Sequence, residues 1–177
     1  MKKRALFGGS FDPPHFGHLN LAIEMLEREG FEEVIWVPAA QSPFKGPATE
    51  AMHRLAMVRL ATAPVAEFKV LDLEIRRVGK SYTVDTLEAL GCTPERFVLL
   101  VADDVYATFD QWRRADRIKE LVDILVVSRF GEGIMLPKME ISGTRIRERL
   151  KRGLYCGHLV PANVLDYIFL HRLYSMP

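Results

Sequence analysis

Five short strand-like runs, each set off by a stretch of helical periodicity, constrain this chain more than any other feature of its sequence. They are Ala5-Leu6-Phe7, Val34-Ile35-Trp36-Val37, Phe68 to Ile75, Phe97-Val98-Leu99-Leu100-Val101 and Ile124-Leu125-Val126-Val127. Near-continuous apolar strands are buried on both faces, and strands separated by helices pair in parallel. Phe68 to Ile75 differs in alternating apolar with charged side chains, as a more exposed strand would. Between the runs, Leu19, Ala22, Ile23 and Leu26 recur at helical spacing up to Gly30, and Glu50 to Ala63 carries the stripe of Leu55, Met57, Val58 and Ala61. Val84 to Leu90 reads as a short helix closed by Gly91 and capped by Ser81 or Thr83, and Arg114 to Glu120 as a polar helix. Gly131 and Gly133 mark a loop, after which Met139-Glu140-Ile141 reads as a last short strand. The expected fold is α/β, a doubly wound parallel sheet with helices on both faces. With no repeat, low-complexity tract or linker, residues 1–177 are expected to form a single domain.

Charge narrows the function. The 24 basic and 23 acidic side chains nearly cancel, so no broad electrostatic footprint for nucleic acid or an acidic membrane is expected. Cys92 and Cys156 form no CxxC and point to neither a redox nor a metal motif. Met1-Lys2-Lys3-Arg4 is basic like a signal peptide, yet only Ala5-Leu6-Phe7 follows before Gly8, too short for an apolar core segment. A cytoplasmic protein with small-molecule substrates, and with no nucleic-acid or membrane partner, is expected. Whether it forms a homo-oligomer is left open by the sequence.

The chemistry concentrates in the first strand-to-helix turn, Phe7-Gly8-Gly9-Ser10-Phe11-Asp12-Pro13-Pro14-His15-Phe16-Gly17-His18. Gly8 and Gly9 allow φ > 0 and close approach of a ligand to the main chain. Pro13 and Pro14 bar the turn from being helical and place the helix start at His15 to His18. Unpaired N–H groups there, with the helix dipole behind them, would receive an anion such as phosphate. His15 and His18, three residues apart, could both donate to its oxygens. A zinc site lacks further ligands, since neither paired cysteines nor acidic residues accompany the histidines.

A second cluster, Ile141-Ser142-Gly143-Thr144-Arg145-Ile146-Arg147-Glu148-Arg149, opens a helix that Ser142 or Thr144 can cap. At 100° per residue, Arg145, Arg149 and Arg152 share a face that reads as solvated, while Arg147 stands one turn after Thr144. A guanidinium, two hydroxyls and a helix start together suit a triphosphate, because arginine offers a planar fork to phosphate oxygens.

The first cluster resembles GxFDPxHxGH, and the second ISxTxIR, the two signatures of the nucleotidyltransferase superfamily. Ser81-Tyr82-Thr83-Val84-Asp85-Thr86-Leu87 resembles the SYTxDTL element of bacterial nicotinate-nucleotide adenylyltransferases. Asp104, Phe109 and Trp112 are similar to that family's GxDxxxxFxxW segment, with Ala102 in place of the glycine. Leu159, Pro161, Val164, Tyr167, Ile168, Leu173 and Tyr174 match its carboxyl-terminal helix. The family's PPHK loop stands here as Ser42-Pro43-Phe44-Lys45, and its serine doublet as Ser142-Gly143.

The resemblance implies a Rossmann-like fold and transfer of AMP from ATP to nicotinate mononucleotide, giving deamido-NAD and pyrophosphate, with magnesium on the phosphates. It implies catalysis by His15, His18 and Arg147. ATP would lie against Gly8, Gly9, Ser10, Phe11, His15, His18, Asp104, Ile141, Ser142, Thr144 and Arg147. The pyridine nucleotide would meet Lys45, Thr83, Asp104 and Trp112. No protein metal ligands are implied. Alternatives are a pantetheine-phosphate adenylyltransferase, which shares both signatures but not SYTxDTL, a nicotinamide-nucleotide adenylyltransferase, and a nucleic-acid-binding module built on Arg145 to Arg152.

Overall fold

Side-chain alternation along each strand decides what packs on which face of the sheet. A computed structural model describes residues 2–44, 49–77, 79–128, 134–135 and 141–174. Strands β1 (Arg4–Gly9), β2 (Val34–Pro38), β3 (Phe68–Val70), β4 (Phe97–Ala102), β5 (Asp123–Ser128) and β6 (Ile134–Met135) form one sheet in the order β3-β2-β1-β4-β5-β6. Every neighbouring pair is parallel. This is the doubly wound, Rossmann-like arrangement.

Because successive residues of a strand face opposite ways, Ala5, Phe7, Val34, Trp36, Val98 and Leu100 build one core. They meet Leu21, Ala22 and Met25 of α1 (Phe16–Arg28) and Val58 of α2 (Ala51–Thr62). Leu6, Ile35, Val37, Phe97, Leu99 and Val101 build the other, against Val84 and Leu87 of α4 (Thr83–Ala89) and Ile118 and Leu121 of α6 (Ala115–Leu121). Helices thus cover both faces. A third cluster joins Met57 and Ala61 of α2 to Ile141, to Ile146 of α7 (Gly143–Lys151) and to Val164, Leu165 and Ile168 of α8 (Ala162–Leu170). That cluster carries the second signature onto the first.

Several local expectations are corrected. The strand expected over Phe68 to Ile75 ends at Val70, and a single helical turn, α3 (Leu73–Arg76), follows. The turn buries Glu74, which pairing as an exposed strand would not do. Neither Ser81 nor Thr83 caps α4: its N-cap is Tyr82 without a side-chain bond, and Ser81 Oγ instead accepts from the Ala40 amide at 2.9 Å. Asp103 and Asp104, just past β4, begin a short helix, α5 (Asp103–Tyr106). A strand pair forms at Ile134–Met135, just past the expected glycine loop. Gly131, Gly133, Met139 and Glu140 lie outside the described residues, and Ile141 is not in a strand. Among the described residues no helix is long and apolar enough to cross a membrane.

Candidate active site

Strand order reverses between β1 and β4, and the crevice beyond the carboxyl ends of such strands is where open α/β sheets bind ligands. A cleft of about 1140 Å³ opens there. It is lined by every site residue expected from the sequence that the structure describes: Gly8, Gly9, Ser10, Phe11, His15, His18, Thr83, Asp104, Trp112, Ile141, Ser142, Thr144 and Arg147. Lys45 lies outside the described residues.

The first turn is built around Phe11, not around positive-φ glycines. Phe11 takes φ 48°, while Gly8 and Gly9 have no positive φ. Its ring is 2% exposed and packs edge-on to Phe7 and His18, with centroids 5.5 and 5.0 Å away. Burial of that aromatic ring outweighs the backbone strain of a left-handed bulky residue. A Cβ on Gly9 would touch the Phe11 ring at 3.0 Å, so glycine there makes room for the ring. At Gly8 a Cβ would meet nothing within 4 Å, which leaves that stretch of main chain open to the cleft.

His15 is the N-cap of α1, as its prolines require, and is buried. The rings of His15 and His18 stack at 3.7 Å, and His18 Nδ1 accepts from the His15 amide at 3.2 Å. An accepting Nδ1 holds no proton, so a neutral His18 carries its hydrogen on Nε2. Gly17 between them is required by this stacking, since a Cβ there would lie 3.0 Å from His15 Nδ1. The expectation of open amides at this helix start is corrected for Phe16 and His18. The Phe16 amide donates to Leu159 O at 3.0 Å, and the His18 amide to His15 O at 2.9 Å. Two of the first three amides of α1 are thus engaged within the protein, and the imidazoles of His15 and His18 are the polar side chains that this helix start presents to the cleft.

The second signature docks directly on the first. Ser142 Oγ caps α7 by accepting from the Arg145 amide at 3.3 Å. Arg147 donates to Asp12 O at 2.6 Å and to Thr144 Oγ1 at 3.3 Å, so it does stand with Thr144. Gly143 permits the contact: a Cβ there would fall 2.7 Å from Asp12 O and 3.0 Å from an Arg147 nitrogen. Arg145 and Arg152 are exposed, as expected. Arg149 is only half-exposed, because it donates to Tyr155 O at 2.9 Å across the reversal at Gly153.

Three residues that hold the site together escaped the sequence reading. Asp12 accepts from the Tyr174 hydroxyl at 2.5 Å and from the Thr49 amide at 3.2 Å. Tyr174's own ionisation is pushed upward, by burial first and then by the Asp12 charge. Arg54, 2% exposed, donates to Thr49 O, Ser10 O, Ala39 O and Ala40 O at 2.6 to 2.8 Å. Burial lowers its pKa, opposed by the charges of Asp12 and Tyr174. It ties the first turn to the loop after β2.

Tyr82, Thr83 and Thr86 of the α4 region line the cleft together with Trp112 and Arg113, and the Arg113 guanidinium stacks on the Tyr82 ring. Trp112 follows a 3₁₀ turn, Phe109–Gln111, and lies 5.4 Å from the Phe109 ring. Its indole Nε1 is buried and has no hydrogen-bond partner among the described residues. Glu74 accepts from Thr86 Oγ1 at 2.6 Å, and burial raises its pKa. Ala102 is buried at the end of β4, where its methyl joins the core. Asp104 is exposed, and its Oδ1 accepts from the Val105 amide at 3.0 Å. Among the described residues no group of three or more His, Cys, Asp or Glu converges as metal ligands.

Two stacked histidines, an arginine braced on their turn and a cleft at the sheet's switch point together have a chemistry that suits phosphate groups. The chain belongs to the cytidylyltransferase-like family, whose pattern matches residues 6–149. Within that family it is similar along nearly its whole length to two bacterial proteins named probable nicotinate-nucleotide adenylyltransferase. The one from Oceanobacillus iheyensis is 33% identical, covering 99% of this chain and 98% of its own. The one from Salinibacter ruber is 39% identical, covering 96% of each. Among solved structures, the Plasmodium falciparum nicotinic acid mononucleotide adenylyltransferase in complex with NaAD superposes with a TM-score of 0.82. It covers 98% of both chains at 19% identity, which speaks for the fold.

Proposed function

We propose that this chain is an adenylyltransferase that joins ATP to nicotinate mononucleotide, forming deamido-NAD and releasing pyrophosphate. The observation that carries the reading is the convergence of both signatures on one cleft that Thr83 and Trp112 also line. In the reaction a phosphate oxygen of the mononucleotide forms a bond to the α-phosphorus of ATP as the bond to the β-phosphate bridge oxygen breaks. The nucleophile is already anionic, so no strong base is required. Catalysis is positioning and stabilisation of charge. His18 donates through Nε2 to the α-phosphate as its charge grows, His15 holds the neighbouring phosphate, and Arg147 with Thr144 receives the leaving pyrophosphate. Arg147 comes to this task already oriented by Asp12 O, which lowers the ordering cost of the bound state.

Gly8, Gly9, Ser10, Phe11, Ile141 and Ser142 frame the ATP, Asp104 the ribose, and Thr83, Lys45 and Trp112 the pyridine nucleotide. Divalent metal dependence goes with the family, and magnesium is the ion we assign. The donor set fits a magnesium that arrives on the triphosphate and keeps water and phosphate oxygens as its ligands. Residues 1–177 act as one domain, in the cytoplasm. The test is pyrophosphate release from MgATP with nicotinate mononucleotide, nicotinamide mononucleotide or phosphopantetheine as acceptor. Preferential turnover of the first is expected. Turnover of phosphopantetheine alone, or none, would overturn the assignment.

A further inference from the structure

The arginines lining the cleft differ in what they are free to do. Arg54 is buried and engages four carbonyls. Arg147 is bound to the phosphate-side turn through Asp12 O. Arg113 is the remaining one among the described residues, and it lies beside Tyr82, Thr83 and Trp112. Its guanidinium carbon stands 4.8 Å from the centroid of the Tyr82 ring, and one of its nitrogens stands 3.7 Å from Asp85 Oδ2. Stacking on a tyrosine face and a loose ion pair hold a guanidinium in place without engaging all five of its donors. Its side chain is 54% exposed, so it can still meet a ligand.

The other charged groups of this wall do not favour an anion. Asp104 is exposed and carries a carboxylate, Asp85 faces Arg113 itself, and Glu74 sits behind Thr86. Burial inclines Glu74 toward its neutral form, which softens its repulsion but supplies no attraction. Of the wall's described side chains, only the Arg113 guanidinium brings a positive charge to an anionic ring substituent.

Resting on the function proposed above, we infer that Arg113 is the specificity-determining residue for the pyridine substituent: it selects the carboxylate over the carboxamide. A carboxylate offers two acceptor oxygens to the planar fork, whereas a carboxamide offers one and presents an NH₂ group to it. Discrimination by an electrostatic contact of this kind is also sensitive to salt, because the site is partly open to water.

The test compares kcat/KM for nicotinate and nicotinamide mononucleotides, with MgATP saturating, in the wild type and in Arg113→Met, Arg113→Lys and Asp85→Asn. The nicotinate preference should fall about tenfold or more in Arg113→Met, a change of about 1.4 kcal/mol or more per substrate pair. It should be partly kept in Arg113→Lys, which keeps the charge but loses the fork, and kept or raised in Asp85→Asn, where the guanidinium loses a competitor. KM for ATP should not move. The salt dependence of KM for nicotinate mononucleotide should flatten in Arg113→Met. A preference unchanged within twofold in Arg113→Met, or equal losses in the Met and Lys variants, would overturn the inference. So would a wild type that turns over both mononucleotides equally well. A wild type that turns over neither refutes instead the reaction itself.

Discussion

Arg54 is the residue whose removal reports most directly on how this site is held. Four bonds to carbonyl oxygens leave its guanidinium. A hydrogen bond to a charged group contributes roughly 1.5 to 3 kcal/mol, so the gross interaction is on the order of 6 to 12 kcal/mol. Much of this offsets the several kcal/mol needed to take the cation out of water. Arg54→Met keeps the volume and removes both terms. It leaves four carbonyls without their donor, and those of Ser10, Ala39 and Ala40 belong to residues that line the cleft, where water can reach them. A net loss of about 3 kcal/mol is expected, at the lower edge for breaking a buried charged network. For a chain of this size that is roughly 6 to 12 °C in Tm. Urea denaturation gives the stability, and steady-state kinetics give the function. KM for both substrates should rise together, because Ser10 lies on the first turn and Ala39 and Ala40 on the loop after β2. A variant within 1 kcal/mol of wild type, with both KM values intact, would refute the reasoning.

His18→Ala should lower kcat by about a hundredfold or more with little change in ATP affinity, since its donor acts on charge that appears in the transition state; near-normal kcat in a folded variant removes it from the mechanism. Arg147→Ala should cost roughly 2 kcal/mol in kcat/KM for ATP. Arg149→Ala should lower Tm through loss of the Tyr155 contact while leaving kcat/KM nearly intact, and equal kinetic effects of the two would point to a diffuse basic patch. Glu74 supplies a pH test. A carboxyl whose pKa is raised by folding holds its proton longer in the folded state, so its contribution to stability falls as pH rises from the ordinary carboxylate value of about 4.3 through the folded value. Glu74→Gln cannot ionise, so its stability relative to wild type should increase from about pH 4 toward pH 7; a flat difference in urea midpoints would show that Glu74 is charged at no cost.

Periodicity was enough to reveal the sheet, because strands buried on both faces must be apolar on both, and β1, β2, β4 and β5 fall where those runs lie. It failed at Phe68 to Ile75 for a tertiary reason. After the Leu71 amide pairs with Trp36 O at 2.9 Å, the chain turns to bring Glu74 under Thr86, a contact no local pattern encodes. The phosphate side of the site was legible because its chemistry is crowded into two short stretches. Arg54 was not, since an arginine on an apolar-striped helix looks like any solvated one until the loops supplying its acceptors are placed. Tyr174 was hidden likewise among apolar residues that read as a carboxyl-terminal helix, which in the structure ends at Leu170, before it. Arg149 was sorted with Arg145 by helical geometry alone, which takes no account of the chain doubling back at Gly153.

The bond from Tyr174 to Asp12 spans 162 positions of the chain. A ribosome adding 5 to 20 residues per second takes roughly 8 to 30 s to cover that distance. Throughout that interval Tyr174, which closes over the first turn, is still unmade. Asp12 meanwhile lacks the hydroxyl on its carboxylate and the guanidinium on its carbonyl. A nascent chain halted before α7 would present stacked histidines on a turn with no brace, and a nucleotide pocket open along one side. On the function proposed above, ATP binding is acquired late in synthesis, timed by the arrival of Arg147 and Tyr174 rather than by the folding of the strand that leads into the histidines.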